Sequence, residues 1–238
     1  MPSTIATFIA RPGEFFERRV PRLSGPRGAG IAAALALAAT LALGAALWLF
    51  SRQFDGTATV DNPDYPGETL CEAEFEVATP AGCDEPATRT VEMSSLLWEQ
   101  VVDVLPVAFV GLLIVWGLLA AALHVGALLA GGDGRIGQTM ELAAWGLVPT
   151  VVTVAVGGAA LVAFAARADL SGDPEALLGT VESIGRGLSG LTLLGIQIAG
   201  AAWQAYVWTA GLRVVHGISR VAAGAIAVLV ATVPVLLG

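Results

Sequence analysis

The sequence has no lysine among its 238 residues, and only two histidines, two cysteines and two tyrosines. Charged residues make up 13% of it, where an average soluble domain carries about 25%. A water-soluble chain so poor in charge would leave large apolar patches on its surface, which argues against a soluble enzyme domain. There is no basic run of the kind that meets phosphate backbones, so nucleic acid is not an expected partner. No Gly-Lys-Ser/Thr, no His-Glu-x-x-His and no Glu-Glu pair in an apolar segment is present, so P-loop, metalloprotease and lipid-phosphatase chemistry lack their groups. Neither a cofactor nor a metal is expected.

Apolar residues fill 55% of the chain, with 29 glycines besides. Five apolar stretches stand out, roughly Ile31–Phe50, Val104–Ala130, Leu142–Ala166, Leu188–Leu212 and Val221–Leu237. About 20 apolar residues at 1.5 Å each cross a ~30 Å hydrocarbon core. Backbone polar groups must be paired in lipid, which leaves helices or a closed barrel. Unbroken runs without alternation exclude the barrel. The expected fold class is therefore all-α: a polytopic membrane protein built as a bundle of five transmembrane helices with short interfacial helices. The first stretch begins near residue 28 and is too long for a signal-peptide core, so it reads as a retained span.

Charge sets the expected orientation. Residues 1–30 and the loops 131–141 and 213–220 hold eight Arg against four acids; the other side holds four Arg against 16 acids. Arg excess marks the cytoplasmic face. This places the N-terminus inside, the C-terminus outside and the protein in the cell membrane. The acidic, Lys-free, Ala/Gly/Val-rich composition suggests a GC-rich genome and a salt-loving, archaeal-type host.

Three segments carry further expectations. Residues 1–27 mix Phe8, Phe15 and Phe16 with Arg11, Arg18, Arg19 and Arg22. The rings suit the headgroup boundary and the guanidinium groups suit lipid phosphates, so the segment is expected to lie on the cytoplasmic surface as a docking arm or a plain topogenic anchor. The remaining 28–238 form the membrane domain, with an acidic outer loop over 52–103 that carries 12 carboxylates. That loop contains Cys71 and Cys83. On the outer side a disulfide between them would contribute about 3 kcal/mol, and partial alternation over Thr69–Val77 allows a short hairpin there. A metal site is the poorer alternative, since no His is near. Helices after Ser94 or Ser95 and after Asp173-Pro174 read either as interfacial or as extensions of the spans.

Within the spans few polar groups occur, and each is a candidate site. Glu141 and Arg213 lie at the same inner depth and are expected to form an interface ion pair. Gly190, Gln197, Gln204 and Gly211 recur every seven residues on one stripe of the fourth span. Such a face serves helix–helix packing or lines a conduit, in which case the protein would be a transporter or channel subunit. Gly187-Leu188-Ser189-Gly190 matches an intramembrane serine protease motif, but His216 stands 27 residues on, about 40 Å along a helix, too far to serve as its base.

The lead Arg11-Pro12-Gly13-Glu14-Phe15-Phe16, the stretch Ala144-Trp145-Gly146-Leu147-Val148-Pro149 and the run Trp208 to Ser219 ahead of a small-residue last span resemble the Yip domain family (Ypt/Rab-interacting proteins), in its prokaryotic or archaeal form. The resemblance implies five spans, a cytoplasmic N-terminus and no catalytic residues. Eukaryotic members are linked to vesicle traffic and membrane shaping. Their Asp-Leu-Tyr-type motif is absent here, which argues against GTPase binding. The expectation is a non-enzymatic membrane scaffold, adaptor or organiser whose partners are the lipid bilayer, a second copy of the chain or other membrane proteins.

Overall fold

A computed structural model describes residues 4–72, 80–167, 179 and 191–237. The described chain is mostly helical. It opens with two short helices, α1 (Thr4–Ala10) and α2 (Pro12–Glu17), and a 3-10 turn over Val20–Arg22. Pro26 near the start of α3 (Gly25–Ser51) costs no hydrogen bond there, because the first-turn amides have no partner within the helix. The Ala/Leu run that follows extends α3 to 27 residues, about 40 Å.

The acidic loop after α3 folds as an antiparallel pair, β1 (Thr57–Asp61) with β2 (Thr88–Glu92), in a register that puts Ala58 opposite Val91. Between them α4 (Glu68–Cys71) leads to the Cys71–Cys83 disulfide, with Cα atoms 5.4 Å apart. The pairing strands thus lie outside the Thr69–Val77 stretch, whose first residues are helical instead; Thr69–Cys71 complete a turn begun at Gly67, where φ is +104°.

Helix α5 (Met93–Leu129) is one continuous rod of 37 residues with Pro106 inside it. The helix after Ser94 is therefore an extension of the second span and not a separate interfacial element. The third predicted stretch is broken into α6 (Ile136–Trp145) and α7 (Val148–Ala165). The break falls at Gly146-Leu147 because Pro149, near the start of α7, has no amide to donate back to Trp145. Helix α8 (Leu191–His216) turns at Gly217, φ +69°, into α9 (Arg220–Leu237).

Among the described residues three segments are long and apolar enough to cross a membrane: Gly25–Ser51, Met93–Leu129 and the broken Ile136–Ala165. Helix α8 is long but interrupted by Gln197 and Gln204, and α9 offers a shorter apolar stretch over Arg220–Val233. The second predicted interfacial helix and the Ser189 motif lie outside the described residues.

Helix α3 packs on α5, α6 and α7, while α8 packs on α9, α7 and α2. The main core sits toward one end and joins Leu123, Leu142, Val207, Trp208 and Leu212 to Phe15 and Phe16. A smaller cluster at the opposite end packs Phe50 and Phe54 on Phe164 and Ala165. Outward positions are apolar too: Leu41, Val107, Leu118 and Leu229 are exposed. A belt of this kind suits lipid, where apolar exposure carries no penalty.

Candidate functional site: a polar collar around helix α6

Helix α6 has only ten residues, yet hydrogen bonds reach it from the start of α3, from α5, from α8 and from the 3-10 turn. From the N-terminal side, the Ser24 backbone N–H donates to Glu141 Oε2 at 2.9 Å, and Gln138 Nε2 donates to the Val20 carbonyl at 3.2 Å. From α5, Trp116 Nε1 donates to the Met140 carbonyl at 3.1 Å. From α8, Gln204 Nε2 donates to the Gly146 carbonyl at 2.9 Å. The last bond satisfies a carbonyl that the chain break after α6 would otherwise leave unpaired.

The chain's two histidines meet at the same helix. Thr139 Oγ1 lies 3.1 Å from His124 Nδ1 and 2.8 Å from His216 Nε2, and the ring centroids are 5.4 Å apart. One hydroxyl thus bridges imidazoles from α5 and α8. It has a single proton to give, so the two rings cannot both accept from it. Thr139 and His216 are buried; Gly134 lies against the His216 ring and Gly132 against its Cβ, and a Cβ on either glycine would have no room. His216 is the last residue of α8. Periodicity gave no sign of this cluster; the one available signal was that both histidines fall at the inner depth.

The aromatic lead closes over the collar. Phe8, Phe15 and Phe16 are buried inside the protein, not seated in a headgroup layer as the sequence suggested. Phe8 and Phe15 lie 5.4 and 4.8 Å from the Trp145 ring, and the Arg19 guanidinium sits 3.9 Å above Phe15. Phe16 also reaches Gly211 of α8. Gly146 is required by close approach: a Cβ there would run into the Trp208 indole.

The expected Glu141–Arg213 ion pair does not form. Glu141 is wholly buried and bonds the Ser24 amide, whereas Arg213 points outward from the last turn of α8. The carboxyl acts instead on Arg19, whose pKa is lowered by burial first and by Arg27 next, with Glu141 raising it. Helical depth alone put Glu141 and Arg213 level, but they face different neighbours. Gln197 and Gln204 share the wall of one cavity of about 180 Å³, together with Thr150, Thr153 and Gly200. Gln204 is buried there; Gln197 is exposed on the same face.

The Yip1 domain matches residues 6–238, nearly the whole chain. The chain belongs to the Yip1 domain family. The match takes in the aromatic lead, α6 and the α8–α9 hairpin, so the collar lies wholly within the Yip1 domain. No curated protein and no solved structure matches the chain. Among the described residues no group of three or more His, Cys, Asp or Glu is placed to hold a metal ion.

Proposed function

We propose that this Yip1-family chain is a five-span scaffold or organiser of the cell membrane, without enzymatic activity, with its N-terminus in the cytoplasm and its C-terminus outside. Helices α8 and α9 are the fourth and fifth spans in this reading. Burial of Gln204 against the Gly146 carbonyl and the apolar outer faces support α8 as a span, since a paired amide is tolerated in lipid. The observation that carries the non-enzymatic reading is the collar itself: Gln138, Thr139, Glu141 and Gln204 are spent on fastening α6 to its neighbours. A bundle locked at one end offers a rigid surface to lipid, to a second copy or to other membrane proteins. Purification of the intact chain in mild detergent, with identification of co-eluting proteins, tests the role. Single-cysteine labelling from each side of the membrane tests the orientation; termini found in one compartment refute five spans.

The cavity beside Gln197 and Gln204 favours a second reading, a transporter or channel subunit. Replacing both with Leu separates the two. Lost flux with normal assembly supports transport; lost assembly supports packing.

A further inference from the structure

At the collar end, on the outer side of the α8–α9 hairpin, a cavity of about 290 Å³ is lined by Arg11, Arg213 and Arg220, with Glu14, Tyr206 and Thr209 among its other walls. Three arginines from three separate segments line one space. The Tyr206 hydroxyl donates to the Ala10 carbonyl at 3.3 Å, which ties the N-terminal arm to α8 and sets Arg11 beside the hairpin. Glu14 answers Arg11 at 3.2 Å and also Arg18 at 3.5 Å. Arg213 and Arg220 have no ion-pair partner among the described residues. Two unpaired, exposed arginines beside a third leave a local excess of positive charge. Arginine forks match the geometry of phosphate oxygens, which they bind in pairs of parallel N–H···O bonds.

We propose that this pocket binds a phosphate group, supplied by the headgroup of an anionic phospholipid. Val221 follows Arg220 directly and is 83% exposed, and Tyr206 is half exposed on the neighbouring helix. The basic pocket thus opens beside apolar surface where an acyl chain can lie, the arrangement that holds lipid headgroups between helices. A soluble phosphate would use the same arginines without the apolar rim. The proposal rests on the membrane reading above.

The test uses the full chain in detergent micelles doped with phosphatidylglycerol or phosphatidylcholine, with retained lipid counted by native mass spectrometry. The expected result is preferential retention of phosphatidylglycerol. R213Q/R220Q should weaken it about 25-fold, roughly fivefold for each arginine near the headgroup layer. E14Q, which removes the carboxylate from the pocket wall, should strengthen it. R52Q, at the far end of α3, should leave it unchanged. An R213Q/R220Q variant that retains phosphatidylglycerol like the wild type overturns the site while leaving the five-span reading intact, because that reading rests on apolar helix length, which neither substitution changes. Equal loss in R52Q overturns it too, since it would show attraction to net charge alone. Excess inorganic phosphate resolves the source. Failure to displace the lipid supports a headgroup site; displacement with the same dependence on Arg213 and Arg220 supports the phosphate site and assigns it to a soluble anion.

Discussion

Gly28 offers a direct test of how α3 meets α6. A Cβ on Gly28 would lie 2.7 Å from the Glu141 backbone N and 2.8 Å from its Cα and from the Met140 carbonyl carbon. These are backbone atoms, so no rotamer change can make room. To reach ordinary contact at 3.4 Å, the two helices must part by at least ~0.7 Å at this point. The Ser24 N–H to Glu141 Oε2 bond, now 2.9 Å, spans the same crossing and would stretch out of hydrogen-bond range. Overpacking of this kind costs about 1–3 kcal/mol, and an unmade bond to a buried polar group adds about 1–3 kcal/mol. Against this, Gly→Ala within a helix returns about 1 kcal/mol. The net expectation for Gly28→Ala is a loss of about 1–5 kcal/mol.

Gly30 lies two residues further along the same helix, and a Cβ there meets nothing within 4 Å. Gly30→Ala should therefore be neutral or stabilising by up to about 1 kcal/mol. Both variants can be melted in the same detergent and followed by circular dichroism. At roughly 2–4 °C per kcal/mol for a chain of this size, Gly28→Ala should melt about 2–20 °C below the wild type, and Gly30→Ala at or just above it. If the two variants melt together, the close crossing of α3 and α6 is wrong, and with it the seat of Glu141.

Thr139→Val should destabilise by about 1–3 kcal/mol, because it strands the buried His216 nitrogen and takes a partner from the half-buried His124, whereas Thr139→Ser should keep most of the stability; chemical denaturation of both would show it. Opening the Cys71–Cys83 loop in C71A/C83A should cost about 3 kcal/mol locally. Hydrogen exchange should rise over residues 57–61 and 88–92 and stay unchanged in α3 and α5.

What was legible in the sequence is what one side chain decides by itself. Apolar run length placed α3, α5 and the α6–α7 segment, and the cysteines on the acidic side announced their bond. Family likeness was carried by residues whose structural reasons are now visible: Trp145 and Gly146 receive the aromatic lead and the Trp208 indole, and Pro149 follows the break between α6 and α7. What remained hidden depends on which faces turn toward each other. Hydropathy reads Phe15 as a residue that avoids water and cannot distinguish a lipid headgroup layer from the flank of Trp145. Equal depth was read as pairing for Glu141 and Arg213, but rotation about the helix axis gave Glu141 to the Ser24 amide just ahead of α3 and left Arg213 without an ion-pair partner among the described residues. The same rotation turns Arg213 toward Arg11 and Arg220. The failed ion pair and the basic pocket are thus one fact: burying the carboxyl at the α3–α6 crossing removes the anion that would have neutralised the outer face of the hairpin.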